Sequence, residues 1–240
     1  MNRDERRDRT ESGLVSRVSS ESRIYFPEDK PSGGTWIGLN DSGVILCLMN
    51  RYDCPADSDK ASRGEIIPAA LSCGDFVTMV NWLNNHFDYS RYNPFTLVLV
   101  TSELTLRIDW SGQYFTQEEV SIDDIFMATS SSVDTQRVIR YRQKQFVEWQ
   151  RSRGADLKGI PGFHLQQDND DTSSSVFMAR DTTHTKSITQ VKMSDSEAKI
   201  TYFDNQQIQS CYQATIENKE ISVFPTVESI QLKSMQLRMA

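Results

Sequence analysis

The sequence is poor in the residues that would reveal its chemistry at once. Histidine occurs three times in 240 residues, as His86, His164 and His184, none at metal-ligand spacing from another or from a cysteine. Cysteine occurs four times (Cys47, Cys54, Cys73, Cys211), scattered and without a C-x-x-C pair, so free thiols in a reducing compartment are expected and disulfides are not. Basic residues are outnumbered, 26 Lys and Arg against 33 Asp and Glu, and the net charge of −7 argues against nucleic acid as a partner. No long apolar run exists. The longest, Phe95 to Val100, falls far short of the ~20 residues of a membrane helix, so no membrane span is expected. The N-terminus runs Met-Asn-Arg-Asp-Glu-Arg-Arg-Asp-Arg with no apolar segment behind the charges, so no secretory signal is expected and the cytoplasm is the expected location. Gly-x-Ser-x-Gly, Walker A and dinucleotide fingerprints are all missing.

What is present is a globular pattern: 38% hydrophobic and 25% charged residues, enough for one domain over 1–240. Gly33-Gly34-Thr35-Trp36-Ile37-Gly38-Leu39 leads into Asn40-Asp41-Ser42-Gly43 and then the apolar run Val44 to Met49. Two strand-like runs joined by turn residues read as a β-hairpin. Ser62-Arg63-Gly64-Glu65 has capping-box spacing and opens a helix whose apolar face is Ile66, Ile67, Ala70 and Leu71. Gly74 ends that helix and Asp75 caps a second, with Phe76, Met79, Val80, Leu83 and Phe87 at helical spacing.

Phe95 to Thr101 reads as a buried strand, Leu104 to Trp110 as a half-buried one, and Gln113 to Thr116 as a third. A helix is expected over Val133 to Arg153, with Val138, Tyr141, Phe146 and Trp149 near one face. Gln166 to Ser175 reads as a mobile surface loop and residues 1 to 9 as a frayed, solvated terminus. Further strands are expected at Val176 to Met178, Ser187 to Met193, Ile200 to Phe203 and Ile221 to Phe224, with a turn at Asp195-Ser196-Glu197. Strands in consecutive groups with helices between them indicate an α+β fold with mainly antiparallel sheet.

Three blocks in order, Asn2-Arg3-Asp4-Glu5, Gly33 to Gly38 and Ser62 to Glu65, resemble the signatures of the NRDE family, also called the transport and Golgi organisation 2 family. Met178-Ala179-Arg180-Asp181 resembles its C-terminal block. The resemblance implies a four-layer αββα sandwich of the N-terminal-nucleophile hydrolase kind. In such enzymes a leading Cys, Ser or Thr attacks an amide, with its own α-amine (pKa ~8) as base. Family members begin Met-Cys and a strand before the Asn-Arg-Asp-Glu block. Here Met1 directly precedes Asn2, so the nucleophile and the first strand are expected to be missing, and no catalytic residue is assigned. An edge left open by a missing strand favours a homo-oligomer.

The expected function is therefore non-catalytic handling of a small ligand, with haem or lipid the classes the resemblance implies. The alternative is an amide hydrolase or acyltransferase whose nucleophilic Cys lies upstream of this start. Candidate pocket residues are Asn2, Arg3, Asp4, Glu5, Trp36, Arg63, Glu65 and His184. No metal site is expected, and no cofactor beyond haem, with His184 the candidate axial ligand.

Overall fold

The computed structural model describes residues 1–121, 123–153, 160–194, 197–216 and 228–233. The chain forms two compact units: Met1–Arg9, Ile125–Thr189 and Tyr202–Glu228 in the first, and Thr10–Asp124, Gln190–Thr201 and Ser229–Ala240 in the second. Two sheets run through it. A seven-stranded sheet follows chain order, β2 (Glu11–Val18), β3 (Arg23–Asp29), β4 (Ile37–Asn40), β5 (Ile45–Asn50), β6 (Phe95–Val100), β7 (Thr105–Trp110) and β8 (Phe115–Val120). A four-stranded sheet has the order β1 (Asn2–Arg6), β9 (Thr183–Met193), β10 (Glu197–Phe203) and β11 (Glu228–Lys233). Every pairing in the larger sheet, and that of β1 with β9, is antiparallel. The fold is an α+β sandwich.

In the second unit the period-two alternation of the strands sorts side chains between two cores. Phe26, Leu46, Leu48, Leu97, Leu99 and Ile108 face helices α1 (Ile66–Leu71) and α2 (Phe76–Asn85), meeting Ile66, Ile67, Leu71, Met79 and Leu83. The intervening Tyr25, Leu39, Ile45 and Cys47 face the other way and pack on Ala198 and Ile200 of β10 and Val191 and Met193 of β9. One sheet thus carries a helical layer on one face and a second sheet on the other.

The expected hairpin is β4–β5, in register Ile37↔Cys47 and Leu39↔Ile45. Its turn is fixed by Asn40, whose side-chain oxygen accepts from the Val44 amide at 3.0 Å while its Nδ2 donates to the carbonyls of Leu71 and Gly74. Asp75 caps α2 as anticipated, accepting from the Thr78 amide at 2.9 Å. The third strand of the β-rich block lies further along than the expected 113–116: it is the six-residue β8, exposed along most of its length.

In the first unit, Trp149 of α3 (Thr135–Arg153) packs with Phe163 of α4 (Ile160–His164) and with Val176. Ile208 of α5 (Asn205–Ile216) packs with Leu165, Phe177 and Ile188 of β9. The helix α5 and the strands β2 and β11 carry no pattern strong enough to be read from sequence. Three expectations are corrected here. Residues 2–6 are not frayed but form the edge strand β1, because Asn2 and Asp4 find specific partners. The 166–175 segment is not a loose loop: only its tip at Asn169–Asp170 is exposed, and Ser174 and Ser175 are fully buried. Val176 to Met178 is buried but joins no ladder; its one pairing nearby is an isolated bridge, Ala179↔His184. The expected strand at Ile221–Phe224 and the turn residues Asp195 and Ser196 lie outside the described residues.

Candidate functional site

The first block, Asn2 to Glu5, lies along β9. Asn2 faces Ile188, Arg3 faces Ser187, and after a bulge Asp4 faces Thr185 and Glu5 faces His184. Asn2 donates through Nδ2 to the carbonyls of His164 (3.0 Å) and Val176 (2.9 Å). Its Oδ1 meets His164 Nδ1 at 2.7 Å. Since Oδ1 can only accept, that histidine nitrogen carries the proton. Loss of water around the ring pushes His164 down to about 3, so it is neutral near pH 7.

Asp4 is held on both oxygens. Oδ1 accepts from the Thr185 hydroxyl at 2.7 Å, and the same hydroxyl oxygen accepts from the Met178 amide at 2.9 Å. Oδ2 accepts from Arg142 Nη2 at 3.1 Å. Arg142 is buried and spends its other donors on the Ser174 carbonyl, the Thr129 hydroxyl and the Ser130 carbonyl. Around it, Arg137 pairs with Asp171 at 3.0 Å and donates to Ser174, while Arg180 donates to the Ser173 carbonyl and the Ser131 hydroxyl. Hydrogen bonds from Ser173 and Ser174, with Arg137 behind them, hold the Asp171 carboxyl well below the usual carboxylate range. Arg3 is buried with its guanidinium 3.6 Å from Glu5.

His184 is engaged from the side. Arg7 Nη1 stands 2.9 Å from its Nδ1. A guanidinium only donates, so the Nδ1 lone pair is committed and the neutral ring keeps its proton on Nε2. That arrangement does not fit an axial haem ligand, which needs the Nε2 lone pair.

The second and third blocks meet in the second unit. The Thr35 amide donates to the Gly64 carbonyl at 2.9 Å. The backbones are so close that a Cβ on Gly34 would lie 2.5 Å from the Gly64 carbonyl carbon, and one on Gly38 would lie 2.8 Å from Leu71. At Gly34 the obstacle is backbone, so glycine is required there; at Gly38 it is the end of the Leu71 side chain, which would have to shift to admit a Cβ. Trp36 is part of the buried core.

Ser62 caps the turn by accepting from the Gly64 amide, but Glu65 does not return to complete the capping box. Its carboxylate instead accepts from the Tyr92 hydroxyl at 2.7 Å and lies 3.4 Å from Arg91. Burial, reinforced by the Glu65 carboxylate, pushes the Tyr92 phenol up to about 12. Arg63 is half-buried and donates through Nη1 to the Pro94 carbonyl at 2.7 Å. Burial lowers its pKa.

Cys47, Cys54 and Cys73 are free. Burial pushes the Cys47 thiol up to about 11, and Cys73 is also raised by burial. Among the described residues no group of three His, Cys, Asp or Glu side chains gathers as metal ligands would, and no helix is long and apolar enough to cross a membrane.

The geometry therefore joins Asn2 and Asp4 to residues that sequence reasoning passed over: His164, Arg142, Thr185 and the 171–175 serines. Arg142 left one signal. It falls four residues after Val138 on the stripe that continues to Trp149, where an arginine has no reason to be unless it has a buried partner.

The family model described as Transport and Golgi organisation 2 matches residues 1–232. The chain belongs to this family. No curated protein sequence matches it. The three sequence blocks thus fall within a matched region that spans nearly the whole chain, and two of them, Gly33 to Gly38 and Ser62 to Glu65, are joined backbone to backbone.

Proposed function

We propose that this family member handles a small lipid-like ligand without covalent chemistry. The observation that supports the reading is the engagement of the first block: the Asn2 amide is bonded at both ends within the protein, and each Asp4 oxygen accepts a bond from it. Groups so committed fasten strands and helices; a general base or acid needs an open valence toward a substrate. Two of the described thiols agree, since burial raises Cys47 and Cys73 rather than activating them. The amide hydrolase alternative draws its support from the sandwich scaffold and the family alone.

Between the two ligand classes the resemblance implies, the tautomer at His184 favours lipid over haem bound through that residue. The test is equilibrium binding on the purified protein, using a fluorescent fatty-acid analogue and, in parallel, haem followed at the Soret band. Saturable displacement of the analogue by unlabelled lipid is expected. A Soret shift abolished by His184→Ala would overturn the preference for lipid. Turnover of amide or thioester substrates would overturn the non-catalytic reading.

A further inference from the structure

The terminal strands of the two sheets are not equally protected. β1 carries a bulge between Arg3 and Asp4, and β2 one between Glu11 and Leu14. Bulges twist an edge away from further pairing. β8 has none: its six residues pair with β7 without a shift, from Thr105↔Val120 to Trp110↔Phe115. Five of the six are exposed, and the exposed rings of Tyr114 and Phe115 stand at its start.

The turn decides which backbone groups of β8 face outward. The Ser111 amide donates to the Tyr114 carbonyl at 3.1 Å, so these two form a hydrogen-bonded pair. Bonded and non-bonded pairs alternate along an antiparallel ladder. Thr116, Glu118 and Val120 therefore spend their N–H and C=O groups on β7, and those of Phe115, Gln117 and Glu119 point away from the sheet. The preceding hairpin agrees. The Thr101 amide donates to the Leu104 carbonyl at 2.9 Å, which by the same alternation leaves Thr105, Arg107 and Asp109 for β8. Among the described residues no strand or side chain takes up the outward groups of β8.

Such an edge pairs with itself about a two-fold axis where outward residues meet outward residues. An axis at Gln117 satisfies this over the whole strand. Gln117 then faces the partner's Gln117, and Phe115 faces the partner's Glu119. Between these pairs, Thr116 faces the partner's Glu118 and Tyr114 the partner's Val120. No glutamate meets a glutamate. An axis at Glu118 would set that carboxylate against its own twin, and one at Thr116 would run the end of each strand onto the other's turn. Glu118 and Glu119 thus select one register instead of closing the edge.

We propose that β8 is a self-association edge, through which two copies of this chain join their seven-stranded sheets, antiparallel and centred on Gln117. Each outward pair exchanges two backbone hydrogen bonds. Tyr114 against the partner's Val120 sets an aromatic beside a β-branched side chain in a close non-bonded pair, a favourable cross-strand combination. Each copy carries a net charge of −7, so association strengthens as salt screens the repulsion. The proposal is independent of the ligand-handling reading.

The test is sedimentation velocity of the full chain from micromolar to near-millimolar concentration, with amide hydrogen exchange at both ends of that range. A concentration-dependent dimer is expected. As it forms, the amides of Phe115, Gln117 and Glu119 should slow, while those of Thr116 and Glu118 are slow throughout. Gln117→Pro removes an outward N–H without touching the β7 ladder and should weaken the dimer about tenfold or more. Under mild oxidation Gln117→Cys should link two copies beyond any linkage seen in wild type, because a hydrogen-bonded pair sets its Cα atoms about 5.5 Å apart. Glu119→Cys should not, its twin lying about 14 Å along the ladder.

A monomer at every concentration overturns the proposal. So does a dimer that keeps its full strength in Gln117→Pro, or one whose formation leaves the three outward amides unchanged. Outward amides already slow in the monomer would mean that something other than a second copy occupies the edge. Linkage through Glu119→Cys in preference to Gln117→Cys overturns the register. If Gln117→Pro fails to fold, the wild-type exchange pattern and the two cysteine variants decide.

Discussion

The Asn2–Glu5 block and the Gly33–Gly38 block look alike in sequence, short and distinctive, yet they hold the molecule by opposite means. In the first unit the fastening is by side chains. Asp4 and Asn2 tie β1 to β9, to α3 through Arg142 and to the end of α4 through His164. In the second unit the fastening is by the lack of side chains, with Gly34 laid against Gly64 and Gly38 against α1. One mechanism depends on charge and pH. The other depends on volume alone.

The contrast breaks most sharply at Asp4. Asp4→Ala leaves the buried Arg142 without its counter-charge; the Asp4 side chain is 25% exposed and Arg142 keeps its bonds to Ser174, Thr129 and Ser130, so a loss of about 1–3 kcal/mol is expected. Chemical denaturation should show that loss, with Asp4→Asn between the variant and wild type because it keeps an acceptor for Thr185. Wild-type stability in Asp4→Ala would mean that the block does not fasten the unit.

A second effect comes from pH. Because folded His164 sits near 3 while an unfolded histidine titrates at ~6.5, the unfolded chain binds more protons between those values. Stability should therefore fall as pH drops below about 6, approaching ~1.4 kcal/mol per unit from this one group. Carboxylates such as Asp171 and Asp75, lowered in the fold, add their losses only at more acid pH. His164→Gln should flatten the slope between pH 4 and 6, measured as Tm against pH.

Gly34→Ala tests the other mechanism. Its Cβ meets backbone, which cannot swing aside, so an overpacking loss of about 1–3 kcal/mol is expected, independent of pH and salt. Gly162→Ala, where nothing lies within 4 Å, is the matched control. The smallest change is Ser62→Ala, which removes one cap bond at about 1 kcal/mol. A larger loss there would show that the 62–65 turn depends on side-chain bonding as the first block does.

The parts of the fold legible in sequence were those with a local cause. The hairpin, the Asp75 cap, the buried β6 and the long helix each announce themselves by turn chemistry or period. What was illegible depends on partners far along the chain. The 166–175 segment is polar enough to read as loose, yet Arg137 and Arg142 of α3 enclose it. Residues 2–6 read as solvated charge because their partners lie about 140 to 180 positions away. Of the candidate residues, Asn2 and Asp4 are drawn into one network, Glu65 turns to Tyr92, Trp36 lies in the core, and Arg63 donates to the Pro94 carbonyl.

Cys47 lies within the sheet-to-sheet core, and with its pKa near 11 only about one molecule in ten thousand carries the reactive anion at pH 7. Peroxide and electrophiles acting through that anion find almost none of it. The Cys47 thiol should stay unmodified under oxidative stress that modifies ordinary surface thiols.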